Sequence, residues 1–129
     1  MSKKYDFELK VSQTIGVTKE NIDDIMCTAL EGGITSWCWK CEVVGDYLGE
    51  FASEQISRGG TLKLYDSEED EKYWLTLDKL LNGIKLAYEG GYYADYDWCN
   101  GRELDCCQVD AEVADAIVQL ALFGDVIYG

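Results

Sequence analysis

The chain contains no histidine and no proline among its 129 residues, and it is poor in basic side chains. Without histidine there is no Ser–His or Cys–His nucleophile pair, no imidazole metal ligand and no imidazole proton shuttle. No GxxxxGK and no GxGxxG loop occurs either, so nucleotide hydrolysis and dinucleotide chemistry have no support. No apolar run approaches the ~20 residues of a membrane-spanning helix. The first residues (Met1, Ser2, Lys3, Lys4, Tyr5, Asp6) turn polar at once, without an apolar stretch or a cleavage site for export. The expected location is therefore the cytoplasm, with no membrane partner. Lys and Arg number 11 against 25 Asp and Glu, a net charge of −14. Such a charge repels nucleic acid and anionic lipid and attracts basic surfaces.

What is present argues for a folded protein. Hydrophobic residues make up 47% of the chain, enough for a core despite the charge. Residues 1–129 read as a single domain. Six cysteines (Cys27, Cys38, Cys41, Cys99, Cys106 and Cys107) are expected to be reduced in the absence of an export signal. Cys27 sits among core-type residues, as a small buried hydrophobe does.

Residues 5–11 alternate strictly, with Tyr5, Phe7, Leu9 and Val11 on one side, which predicts a half-buried strand. Thr18 offers an N-cap to a helix carrying Ile22, Ile25, Met26, Ala29 and Leu30 that Gly32 and Gly33 should stop. Residues 37–44 read as a strand, 50–58 as weakly helical, and 61–65 with 72–75 as two strands across an acidic turn. Thr76 should cap a second helix with Leu77, Leu80, Leu81, Ile84 and Tyr88, weakened by Gly83 in its interior. A third begins near Asp110, carries Val113, Ala114, Ile117, Val118 and Ala121, and ends at Gly124. Residues 126–128 read as a short last strand, and 92–105 as the longest irregular segment. The expected fold is α+β: a mostly antiparallel sheet of four or five strands with about three helices packed on one face.

Several patterns invite chemistry. Cys38-x-x-Cys41 has zinc-chelating spacing, with Cys99 or the Cys106–Cys107 pair to complete a four-sulfur site. In a regular strand, however, residues 38 and 41 point to opposite faces, and the pair opens no predicted helix as a thioredoxin-type site would. Asp95-x-Asp97-x-x-Asn100-Gly101 supplies oxygen ligands but fails the calcium-loop register, with Cys99 and Cys106 where ligands belong. A carboxylate pair for glycoside hydrolysis carries little information in a chain with 25 acids. Arg58-Gly59-Gly60 either exposes backbone N–H groups to a phosphate or merely separates a helix from a strand. Aromatics interleave with acids at Tyr92, Tyr93, Asp95, Tyr96, Asp97 and Trp98, which suits either a protein-binding surface or rings tucked against a sheet edge.

The stretch Asn21-Ile22-Asp23-Asp24-Ile25-Met26-Cys27-Thr28-Ala29-Leu30-Glu31-Gly32-Gly33-Ile34 resembles one found in small acidic proteins encoded by phages and prophages of Gram-positive gut bacteria. Residues 47–60 and the tail 113–129 share that resemblance. It implies a setting, a bacterial host cytoplasm, and no activity: small accessory phage proteins often act by binding and disabling host machinery. With the charge, this gives an expected function as a protein-binding inhibitor of anti-CRISPR or anti-restriction style. It would occupy the basic, nucleic-acid-binding surface of a host enzyme, without touching nucleic acid itself and without a cofactor or metal. The expected contact residues are the acidic run Asp66, Glu68, Glu69, Asp70 and Glu71, a second acidic set of Asp95, Asp97, Glu103 and Asp105, and the rings of Tyr92, Tyr93, Tyr96 and Trp98. An alternative is a small-molecule binder, such as a sponge for a nucleotide signal, using Arg58 and the glycines after it. A third is an enzyme working with carboxylates alone.

Overall fold

A computed structural model of the chain describes residues 16–68, 71–90, 99–100, 103–104 and 109–128. The elements in chain order are helix α1 (Lys19–Thr28), a π-helical turn (Ala29–Gly33), strand β1 (Cys38–Val44), a 3-10 turn (Ala52–Glu54), β2 (Thr61–Asp66), β3 (Lys72–Leu75), α2 (Leu77–Glu89), β4 (Cys99–Asn100), β5 (Glu103–Leu104) and α3 (Ala111–Phe123). The class is α+β, as the patterning implies.

Each helix starts where a short polar side chain meets the orphan N–H groups of the first turn. Thr18 and Asn21 form a reciprocal capping box, with Asn21 N–H donating to Thr18 Oγ1 at 3.0 Å and Thr18 N–H donating to Asn21 Oδ1 at 2.9 Å. Thr76 Oγ1 and Asp110 Oδ1 accept from the N–H groups of Lys79 and Val113. The glycines at 32 and 33 do not stop α1 cleanly, because the chain continues as the π-helical turn. A side chain at Gly33 would lie 2.7 Å from the Ala111 carbonyl, so this turn packs directly on the start of α3.

Helix α2 lies against α3 along most of its length. Gly83 permits that approach: a Cβ there would clash with the Ile117 carbonyl and come within 2.8 Å of the Ala121 methyl. The glycine that weakens the helix by propensity is thus what lets it dock. Leu80 and Ile84 are buried, whereas Leu81 and Tyr88 are exposed.

Strands β1, β2 and β3 form an antiparallel sheet in that order. Strands β4 and β5 pair separately as a two-stranded ladder within the segment expected to be irregular. Among the described residues the main sheet therefore has three strands rather than four or five. The first expected strand, residues 5–11, lies outside the described residues. Residues 126–128 are not a strand. They are held instead by a side chain: Gln119 Oε1 accepts from Ile127 N–H at 2.9 Å and Tyr128 N–H at 2.8 Å, while Nε2 donates to Asp115 Oδ1 and the Tyr128 carbonyl.

The inner face of the sheet (Leu62, Leu64, Leu75) joins Ile22, Ile25 and Met26 of α1, Leu80 and Ile84 of α2, and Val113 and Ile117 of α3 in one hydrophobic cluster. Trp37 enters from the turn before β1, stacks on Tyr128 at 5.0 Å between centroids, and donates from Nε1 to Asp115 Oδ1 at 2.7 Å. No helix among the described residues is long and apolar enough to cross a membrane. Among the described residues no helix covers the other face of the sheet, and its side chains set the site.

Candidate functional site

The alternation that buries Leu62, Leu64 and Asp66 sends Thr61, Lys63 and Tyr65 outward. On β3, Leu75 turns inward while Lys72 and Trp74 turn outward. On β1 the register slips between Cys38 and Lys40, the mark of a β-bulge at Trp39. After it, Lys40, Glu42 and Val44 point outward with the neighbouring strands. Cross-strand pairing then fixes two rows, Lys40–Tyr65–Lys72 and Glu42–Lys63–Trp74, with Trp39 at the margin.

These side chains form a mosaic of rings and ammonium groups. Lys40 Nζ lies 5.9 Å from the centre of the Trp39 ring and 5.1 Å from that of Tyr65. Lys63 Nζ lies 5.2 Å from Tyr65 and 5.5 Å from Trp74, and Lys72 Nζ lies 5.9 Å from Tyr65. All are within the ~6 Å reach of cation–π attraction. Trp39 is 63% exposed and Trp74 47%, so large flat surfaces meet water. The Tyr65 hydroxyl donates to Glu42 Oε1 at 2.9 Å, and Lys40 bridges Glu42 at 3.4 Å. That hydroxyl, followed by Lys40, holds the Glu42 carboxyl below the usual range. At neutral pH the outward charges of these strands are thus Lys40, Lys63 and Lys72 against Glu42. In a protein of net charge −14, the outward side chains of these three strands thus include three ammonium groups and one carboxylate.

The loop after β1 borders the sheet and is itself held in shape. Buried Gln55 accepts from Leu48 N–H at 3.0 Å and donates to the Asp46 carbonyl at 3.2 Å. Glu54 Oε1 accepts from the N–H groups of Glu50 and Phe51, which depress its carboxyl. Tyr47, Leu48 and Phe51 are presented to solvent from this braced loop.

The acidic run fares differently from expectation. Asp66 is 1% exposed and cannot serve as a contact: it accepts from the Tyr128 hydroxyl and, at 2.6 Å, from the Glu68 N–H. Its strand parity, in phase with Leu62 and Leu64, turns it into the core. Burial first, and then the bond to Asp66, raises the Tyr128 phenol. Glu68 and Glu71 are exposed, and Glu68 lines a small cleft of about 210 Å³ with Ser36, Trp37, Ser67, Ile127 and Tyr128. Glu69, Asp70, Tyr92, Tyr93, Asp95, Tyr96, Asp97, Trp98 and Asp105 lie outside the described residues, as does the side chain of Glu103, whose backbone pairs with Asn100. The described exposed carboxylates are spread over every layer, including Glu20 and Asp24 on α1, Asp78 and Glu89 on α2, and Glu112 on α3. Arg58 bridges Glu54 at 3.5 Å, and a side chain at Gly60 would run into Gln55. These contacts give Arg58 and Gly60 a structural task in the loop.

The bulge also corrects the reading of the two cysteines. By inserting a residue it brings Cys38 and Cys41 to the same, inner face. Burial raises both thiols, that of Cys41 to about 12 with Cys38 and Glu42 adding to the effect. Among the described residues no group of three or more Cys, Asp and Glu is placed to hold a metal ion. Cys106 and Cys107 lie outside the described residues, and so does the Cys99 side chain. A thiol neutral in the fold but titrating near ~8.5 when unfolded favours the native state below that pH, and the contribution fades as pH rises toward the folded value. Native Cys41 should therefore alkylate at about pH 8 about a thousandfold or more slowly than in denaturant. The urea midpoint should fall from about pH 8.5 upward, and Cys41→Val should flatten that fall. Peptide-mapped iodoacetamide labelling and denaturation at several pH values check both.

Sequence reasoning missed the mosaic. Alternation in residues 61–65 and 72–75 carried Lys63, Tyr65, Lys72 and Trp74, but net charge drew attention to the acids. No family model matches the chain, no curated protein matches it, and no solved structure matches it.

Proposed function

We propose that the protein is a binding module whose working surface is the open face of the three-stranded sheet, and whose partner is anionic. The observation that supports this most is the pairing of three lysines with three aromatic rings on one face. Solvated surface charge has no need of exposed tryptophans, and contiguous exposed apolar area marks interaction sites. Rigid strands hold the side chains ready, so little ordering is lost on contact.

The test is a tryptophan-fluorescence titration of the intact protein with polyglutamate, heparin and a homopolymeric oligonucleotide. At least one should bind, more weakly as salt rises, and the triple variant Lys40→Ala/Lys63→Ala/Lys72→Ala should lose that binding while melting as the parent does. Polyanions that leave the fluorescence unchanged would contradict the reading.

A second reading has its own support. The net charge of −14, with Glu20, Asp24 and Glu31 exposed along α1 and its extension, suits a phage-type inhibitor bound to a basic host surface. It requires that a cationic partner bind in a salt-sensitive way and that Glu20→Lys/Asp24→Lys abolish the complex. Sheet-face substitutions would leave that complex intact.

A further inference from the structure

We infer that the anionic partner of the open sheet face is an unpaired nucleic-acid strand. The inference rests on the reading of that face as the binding surface and names its occupant. A nucleotide joins a flat π-system to a negatively charged phosphate through a short sugar. The sheet presents the complement in the same alternation: rings at Trp39, Tyr65 and Trp74, and ammonium groups at Lys40, Lys63 and Lys72 between them, each 5.1–5.9 Å from a ring centre. Proteins that hold single strands combine these elements, aromatic platforms for bases and cations along the backbone.

Other anions use the surface less fully. An acidic peptide satisfies the lysines and leaves the rings idle. A duplex carries the charge but keeps its base faces stacked inside the helix. A free strand uses both, with bases displacing lysine side chains from the rings as those lysines turn to the phosphates. The cation–π contacts of the unbound protein keep the lysines over the rings until then.

The overall charge opposes such a partner, and its sign set the expectation against nucleic acid. Distance decides how far that opposition reaches. At physiological ionic strength charges are screened beyond about 8 Å. A phosphate on the sheet face meets Lys40, Lys63 and Lys72 inside that radius against one carboxylate, Glu42, which already bridges Lys40 and accepts from the Tyr65 hydroxyl, whereas the carboxylates on the solvent side of α1 and α2 lie across the hydrophobic core. Binding is accordingly weak and local, and it favours short unpaired segments over long polyanions.

The experiment titrates the full chain with an oligothymidylate of about ten nucleotides, the same length of duplex, and polyglutamate. Tryptophan fluorescence reports binding, and sedimentation reports self-association. The single strand should bind more tightly than either competitor. The logarithm of its binding constant should fall with the logarithm of salt with a slope of about −2, the value for three phosphate contacts on a single strand. Trp74→Ala should weaken the single strand by about 5- to 150-fold and leave polyglutamate unchanged. Trp74→Phe should restore much of the loss. Equal affinity for polyglutamate and the single strand, both lost in the triple-lysine variant, overturns the nucleic-acid inference and leaves the anion-binding surface standing. Binding of none of the three overturns both, as does single-strand binding that persists in the triple-lysine variant. Self-association through the sheet face that excludes the oligonucleotide overturns the inference in favour of a second copy of the chain.

Discussion

Gln119→Leu is expected to lower the unfolding free energy by about 2–4 kcal/mol, although leucine is close to glutamine in size and suits a buried helical position. Gln119 is fully buried. Its amide uses its whole bonding capacity, accepting from two N–H groups of the C-terminal segment and donating to Asp115 and the Tyr128 carbonyl. Leucine leaves those backbone groups without their partner beside an apolar helix. The consequence extends beyond the substituted position. Tyr128 gives its hydroxyl to Asp66 and its ring to Trp37, so freeing residues 126–128 uncovers a buried carboxylate and one side of the indole. Urea denaturation should show the lowered midpoint, and native Trp37 emission should move toward that of exposed indole. A loss below about 0.5 kcal/mol would mean that the tail is not fixed by this side chain.

Lys63→Glu should have the largest effect on binding. Lys63 is the central ammonium of the face, shared between the Tyr65 and Trp74 rings and paired across the ladder with both Glu42 and Trp74. Reversing its charge places two carboxylates opposite each other and removes one of three cations, so affinity for an anionic partner should fall about tenfold or more. The salt dependence should become shallower in parallel. Lys85→Glu makes the same charge change on α2, away from the sheet, and should alter affinity by no more than about twofold. Isothermal titration of both variants with the same oligonucleotide, with thermal melts to show that each is folded, separates a local contact from a response to net charge.

How much of this was legible in the sequence varies by element, for physical reasons. The helices were, because capping residues and 3.6-residue periodicity act within a few positions. The inward turn of Asp66 was also open to reading, since it falls in phase with Leu62 and Leu64. The local density of carboxylates around it masked that parity. The bulge at Trp39 was not, because it arises from pairing with β2 and only the pairing reveals it. By shifting parity it reverses the expected separation of Cys38 and Cys41. Gln119 could not be linked to residues 126–128 because that contact replaces a strand with a side chain, and no alternation records it. The site itself was obscured by a sum. A net charge of −14 describes the whole chain, whereas recognition depends on the sign within a few ångströms.

Partners are expected to meet the protein on the open face of the sheet. Nitrogen-15 correlation spectra recorded while the oligonucleotide is added decide this, because indole N–H groups report individual rings. The Trp39 and Trp74 indole signals and the amides of Lys63, Tyr65 and Lys72 should move together in a saturable way. The Trp37 indole, bonded to Asp115 in the interior, should stay fixed. Shifts confined to α1, α2 or α3, with the Trp39 and Trp74 signals unmoved at saturation, would contradict the account.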